Sequence, residues 1–223
     1  MTWYRCGNGG GQPSPVQSED YIYNVGKVGF NTGYKHKTTT KIRMKAAIDA
    51  ISGGWRGIFG YEEGSWRTNA MAFSTGDSTQ LAIMTKGAWT QGEQWTAAES
   101  SSSANWSNIP CVFEFNGNSL SWYREEDSNT VRSLTTTGTI ADAIAPLAIF
   151  IENVATTADG WSMTQNSAFM RLFWFEIYEG NTLLHRFVPA YNNSQYCLYD
   201  EVDDVYIYDQ ANNGANLRGF IAQ

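Results

Sequence analysis

The sequence predicts an all-β domain built as two antiparallel sheets packed face to face, and three observations carry that expectation. Short runs of alternating apolar and polar residues recur from about Tyr21 onward, separated by clusters of Gly, Asn, Ser and Asp. Aromatic residues make up 14% of the chain, with nine Trp and twelve Tyr, and such side chains suit a pleated, half-buried surface. No stretch carries the long 3.6-residue apolar period of a helix. The 223 residues then divide into about a dozen short strands, a number that fits one sandwich.

The elements follow in chain order. Residues 1–18 are glycine-rich, hold Pro13 and Pro15 and lack periodicity, so they read as an arm or linker ahead of a domain over 19–223. KIRMKAAI alternates cleanly, with Ile42, Met44 and Ala46 on one face and Lys41, Arg43 and Lys45 on the wet one. LAIMT repeats the pattern with Leu81 and Ile83. Residues 86–109 are polar and of low complexity, which predicts a long loop with room for some strand. CVFEFNGNSLSWYR predicts a hairpin: Cys111, Phe113 and Phe115 share a face before an Asn116-Gly117 turn, and Leu120 and Trp122 continue that face after it. TIADAIA, residues 139–145, predicts a short helical turn. PLAIFIENV points Leu147, Ile149 and Ile151 inward, and MRLFWFEIYEG does the same with Phe173, Phe175 and Ile177. No internal repeat marks the chain.

Composition narrows the function. The net charge is −7 and no basic stripe is present, so nucleic-acid binding is not expected; the richest basic run, KHKTTTKIRMK, is itself a strand. No apolar run reaches the roughly 18 residues of a membrane helix. MTWYRCGNGGG lacks the basic-then-apolar form of a secretion signal, so the protein is expected either to have lost one or not to leave the cell by that route. Cys6, Cys111 and Cys197 cannot all pair with one another and form no C-x-x-C, which predicts buried free thiols in place of a disulfide framework or zinc site.

The C-terminal third carries a resemblance. FEIYEG, then NTLLHRFVPAY, a polar turn and CLYDEVDDVYIYD resemble the closing strands of concanavalin A-like (laminin G-like) lectin/glucanase domains, of the type found in bacteriophage virion proteins and gut-bacterial surface proteins. The match rests on Phe175, Ile177, Tyr178, Gly180, Arg186, Phe187, Val188, Pro189, Tyr191, Leu198, Tyr199, Asp200, Val202 and Tyr206. The opening strand, VGFNTGYKHKTTTKIRMK, is similar too, so the resemblance spans roughly residues 21–210. It departs at Ala190, where the family pattern has cysteine, over residues 86–109, and in a glycine-rich tail reduced to NNGANLRGF. The resemblance implies a jelly-roll sandwich. It implies no particular activity, since this fold hosts many.

Some relatives of that fold hydrolyse glycans with a Glu-x-Asp-x-x-Glu strand, in which alternate carboxylates share a face and serve as nucleophile and acid. Here the run is Glu201-Val-Asp203-Asp204-Val-Tyr206, and a tyrosine cannot replace the second acid. The expectation is therefore a protein that is not an enzyme. Asp200, Glu201, Asp203 and Asp204 are hard oxygen donors that a loop can wrap around calcium, and calcium is the one cofactor the sequence suggests. The preferred reading of the four is a solvated bend between two strands. The only histidines, His36 in a polar loop and His185 on a strand beside Arg186, read as structural. No G-x-S-x-G elbow occurs, and GNGGG lacks the lysine of a phosphate loop.

Binding is the function left. Carbohydrate modules stack sugar C–H faces on aromatic rings and flank them with amides and carboxylates. Trp55, Trp66, Trp89, Trp95, Trp106 and Trp161 fall in polar surroundings and are the candidate ring platforms, although tryptophan more commonly packs than binds. GAWTQGEQW, with Trp89 and Trp95 in one polar segment, is the most suggestive, and those two rings suit a neighbouring subunit as well as a glycan. The expected role is a virion-associated structural or adhesion protein of a bacteriophage, in head decoration or tail. Its lectin-like domain would meet cell-surface glycans, and residues 1–18 would dock it to other virion proteins in a homo-oligomeric or multi-copy assembly. The alternatives are an extracellular bacterial carbohydrate-binding module and a β-glucanase.

Overall fold

The computed structural model describes residues 20–49, 56–63, 66–75, 79–85, 88–94, 108–157, 160–163, 167–212 and 214–220, and over 62–80 and 88–94 it describes the backbone alone. Sixteen strands run through them in the order β1 Tyr21–Asn24, β2 Phe30–Asn31, β3 Thr40–Ile48, β4 Arg56–Glu63, β5 Trp66–Thr75, β6 Thr79–Thr85, β7 Ala88–Gln94 and β8 Cys111–Asn116. There follow β9 Ser119–Arg124, β10 Asp127–Thr135, β11 Ala148–Ile149, β12 Met170–Glu179, β13 Thr182–Asn192, β14 Gln195–Asp200, β15 Val205–Ile207 and β16 Leu217–Phe220. No helix occurs among the described residues, and so none there is long and apolar enough to cross a membrane.

The strands form a ten-stranded sheet, β10-β9-β8-β3-β12-β13-β14-β15 with β1 joining β12 to β16, and a six-stranded sheet, β2-β11-β4-β5-β6-β7. Their inward faces share one core. Ile42, Met44, Phe113, Phe115, Phe175 and Phe187 from the large sheet meet Phe30, Phe59, Leu81, Ile83 and Ile149 from the small one. Phe59 stands edge-on to Phe115 at 5.7 Å and to Phe175 at 5.6 Å, a geometry that adds ring electrostatics to about 1.5–3 kcal/mol for each fully buried side chain. The predicted all-β, two-sheet antiparallel sandwich is the fold observed.

Four local expectations change. The hairpin forms with Phe113 opposite Trp122 and Phe115 opposite Leu120, but Asn116 pairs with Ser119, so the two turn residues are Gly117 and Asn118. Gly117 alone takes positive φ, 61°, which is the first-position glycine of a type II′ turn. Phe173 does not join the core. A bulge between Leu172 and Trp174 hands the inward position to Leu172 and turns Phe173 toward Tyr21, 5.6 Å away between ring centroids. Lys45 is not wet: it is 6% exposed, lies 4.8 Å above the Phe173 ring and pairs with Glu125 at 2.6 Å. Finally, residues 139–145 form no helical turn. The Ala143 N–H donates to the His36 carbonyl in another loop at 2.7 Å, and so short a segment gains little from local helix nucleation.

Within 86–109, β7 is the strand allowed for, paired with β6. Residues 1–18, with Cys6, lie outside the described residues. Cys111 and Cys197 are buried free thiols, and burial pushes Cys111 up to about 12.

Candidate functional site

The acidic stretch is the turn between β14 and β15, and its carboxylates go to different partners. Asp200, the last residue of β14, is 1% exposed, so that member of the predicted solvated bend is buried. Register explains it: Asp200 pairs with Phe187 on the inward face. Its Oδ1 accepts the N–H groups of Arg186 and Val202, both at 3.1 Å, and its Oδ2 meets His185 Nδ1 at 2.7 Å. Burial works to raise the Asp200 carboxyl, but the His185 contact and the two N–H groups outweigh it and hold it below the usual range. The same hydrogen bond raises His185. Asp203 Oδ2 stands 3.4 Å from His185 Nδ1. Glu201 turns to Arg186 at 3.2 Å, and Asp204 accepts from the Tyr199 hydroxyl. Asp200 and Asp203 therefore converge on one imidazole, and the four acids do not gather into a single oxygen cage.

The two histidines differ sharply. His36 lies in a loop, as expected, but its side chain is fully buried and edge-on to Phe115 at 6.1 Å. Neither ring nitrogen has a hydrogen-bond partner among the described residues, and burial lowers its pKa to about 4 against a weaker opposing pull from Asp142.

The outer face of the large sheet, turned away from the small sheet, is a second chemical surface. In-register pairing sets Glu114 beside Arg43, Arg43 beside Glu176 and Glu176 beside Arg186. Ion pairs link them at 3.5, 3.5 and 3.7 Å, and Glu201 closes the row through Arg186. Aromatic rings flank this ladder, but cations cover them: Arg43 sits 5.7 Å from the Trp174 ring and Lys41 lies 4.8 Å from Tyr178.

The third feature is an open cleft of about 500 Å³ at the β1 end of the same sheet. Tyr21, Tyr23 and Phe169 line it with the polar side chains of Asp49, Asn108 and Arg171. β1 and β12 lie side by side beneath it, since Tyr23 pairs with Arg171. Arg171 is aimed by its hydrogen bond to the Asn108 carbonyl at 2.7 Å and by the Tyr21 ring 5.7 Å away. Phe220 stacks on Tyr21 at 5.9 Å and 25°, which fixes that ring from behind. Rings beside planar hydrogen-bonding groups are the lining that small polar ligands use.

Of the tryptophans singled out in the sequence, Trp55, Trp95 and Trp106 lie outside the described residues. Trp66 opens β5 opposite Glu63, and Trp89 is on β7 opposite Met84, so both belong to the small sheet. Trp161 is half-buried in a loop stapled by Asn153, whose side chain holds Pro146, Ala155, Gly160 and Ser162 by their backbones. Trp161 is not among the cleft's described lining residues. The rings that line the cleft, Tyr21, Tyr23 and Phe169, are not among the aromatic residues singled out in the sequence. The available signal was the alternation YIY at 21–23, which puts two tyrosines on one strand face.

No family model matches the sequence, and no curated protein matches it. Solved structures give a likeness of fold. A candidate carbohydrate-binding protein from Bacteroides ovatus aligns with a TM-score of 0.55 at 6% identity, over 95% of this chain and 62% of that one. This chain thus spans 62% of that protein's length. A heptameric pentraxin from Limulus polyphemus aligns at a TM-score of 0.42 and 8% identity, over 96% and 93% of the two chains, a score at which the likeness bears no weight. The shared feature is the fold, a two-sheet antiparallel β-sandwich.

Proposed function

We propose that the domain binds a glycan without cleaving it, in the cleft over β1 and the start of β12. The observation that carries this reading is the convergence of Tyr21, Tyr23 and Phe169 with Asp49, Asn108 and Arg171 around about 500 Å³, within the usual range of small-ligand sites. A sugar ring lays its C–H face on Tyr23 while Asp49 and Arg171 bond its hydroxyls. Asp49 is the one carboxylate among the cleft's described lining residues, whereas glycosidic hydrolysis uses two. The broad outer face is the weaker candidate, because its rings and charges already serve one another. The fold is also one that the Bacteroides ovatus protein, a candidate carbohydrate binder, uses.

The setting we favour is a bacteriophage particle, where the domain adheres to cell-surface glycans and residues 1–18 join it to other virion proteins. The resemblance of the closing strands supports that setting. A module of a larger bacterial surface protein is the second reading, favoured by the longer Bacteroides ovatus chain of which this one spans 62%.

A glycan array probed with the whole chain and with Tyr23→Ala and Arg171→Gln tests the site. Binding to a defined glycan class that falls at least tenfold in both variants is the expected result. Binding unchanged in both would move the site elsewhere, and release of reducing sugar would replace binding by hydrolysis.

A further inference from the structure

We propose that His185, Asp200 and Asp203 form a solvent-open site for a first-row transition-metal dication such as zinc. The donors would be His185 Nδ1, Asp200 Oδ2 and Asp203 Oδ2. The site is separate from the cleft and does not depend on the glycan reading.

The three donor atoms lie within 4.8 Å of one another. They come from β13, from the end of β14 and from the turn that follows, so a bound ion would tie that turn to the sheet. An ordinary ion pair accounts for only part of the arrangement. Nδ1 carries at most one proton, and Asp200 takes that hydrogen bond at 2.7 Å. Asp203 then stands at 3.4 Å from the same nitrogen, where it gains charge attraction but no hydrogen bond. Its carboxylate also adds repulsion toward Asp200. A dication bonds all three donors at once and removes that repulsion.

The distances suit such an ion. Tetrahedral bonds of about 2.0–2.1 Å to nitrogen and oxygen place neighbouring donors roughly 3.3 Å apart. The His185–Asp203 separation already has that value, and the His185–Asp200 contact need open by only about 0.6 Å when the metal replaces the proton. The donor set of one imidazole and two carboxylates suits zinc and its neighbours, whereas calcium wants six to eight oxygens. Asp203 is 54% exposed at its side chain, which leaves room for water to complete the coordination.

The surrounding contacts hold the donors in place. Asp200 Oδ1 is fixed by two backbone N–H groups. The His185 ring is stacked on Phe187 at 5.7 Å and 12°, with the Tyr34 ring edge-on at 5.7 Å. The Tyr34 hydroxyl is pinned in turn to Thr40 Oγ1 at 2.8 Å. Outer contacts of this kind orient metal ligands. Arg186, the nearest cation in sequence, is engaged with Glu176 and Glu201 and does not compete.

The test is calorimetric titration of the chelator-stripped full chain with zinc chloride, and separately with calcium chloride, alongside Asp203→Asn and His185→Gln. Asp203 is exposed, so D203N keeps the fold and keeps the experiment readable; circular dichroism checks H185Q. The expected result is one zinc per chain in the wild type, with affinity lower by more than about tenfold in each variant, and no calcium binding at equal concentration. Zinc binding unchanged in D203N, or absent from the wild type at millimolar zinc, would overturn the proposal and leave a histidine–carboxylate ion pair. Calcium binding that survives in H185Q would overturn it in favour of an all-oxygen site.

Discussion

Phe175 and Glu176 are neighbours on β12 and stand on opposite faces of the same sheet, each at least nine-tenths buried. Phe175 is satisfied by apolar contact from any direction: Phe59 touches it from the small sheet. Glu176 is satisfied only by particular partners, Arg43 and Arg186 on either side and the Tyr178 hydroxyl at 2.8 Å. The inner face thus tolerates changes of shape that keep volume, while the outer face demands register. A slip of one residue would present Glu176 to the core and Phe175 to water, so the two faces enforce the same pairing by different physics. The difference also bears on function. An outer face whose charges and rings are committed to each other offers a ligand little; Arg171 meets the Tyr21 ring in the same way in the cleft beside β1, and what sets the cleft apart is its concavity.

The inner face breaks hardest. Phe175→Ala removes a ring with no exposure and leaves a cavity between two sheets too rigid to collapse fully. The expected loss is about 3–5 kcal/mol, read as a lower urea midpoint with an unchanged slope.

Acid attacks the same face through His36. The unfolded chain takes up this proton near pH 6.5, while burial holds the folded pKa at about 4. Between those values the unfolded state binds more protons, so stability is full above pH 6.5 and falls as pH drops toward 4. The stake is about 3 kcal/mol. His36→Leu, which puts an apolar group where no hydrogen bond to a described residue is lost, should leave neutral-pH stability within about 1 kcal/mol and flatten the acid limb of the melting temperature against pH. A limb of unchanged steepness in that variant would assign the acid sensitivity to other groups.

How much of this the sequence revealed follows the same division. Inward positions such as Ile42, Met44, Phe113 and Phe115 were legible because alternation is a local property of one strand. Phe173 was not: both faces of β12 carry large apolar residues there, so nothing local marks the bulge that exchanges it for Leu172. Lys45 read as wet because its charge is local and its cover, Glu125 and Phe173, is not. The acidic turn was legible as a turn. The burial of Asp200 was not, since it depends on the register that sets β14 against Phe187. The cleft is least visible of all, because Tyr23, Asp49, Asn108 and Arg171 come from four separate stretches joined only by pairing.

The outer face breaks more gently, and it sharpens the comparison by grading its own members. Arg43→Ala leaves Glu176, whose side chain is 9% exposed, with the Tyr178 hydroxyl and a single cation, Arg186 at 3.7 Å. A fully buried pair would cost more; with Arg43 itself 34% exposed, the expected loss is about 2 kcal/mol. Glu114→Ala removes the other neighbour of Arg43, but Glu114 is 39% exposed and water replaces it readily. Its expected cost is below about 1 kcal/mol. Removing either residue in a background already lacking the other should cost less than in the wild type, which a double-mutant cycle of urea midpoints measures. Equal losses for Arg43→Ala and Glu114→Ala would mean that the row acts as independent surface pairs and that the outer face contributes nothing to register.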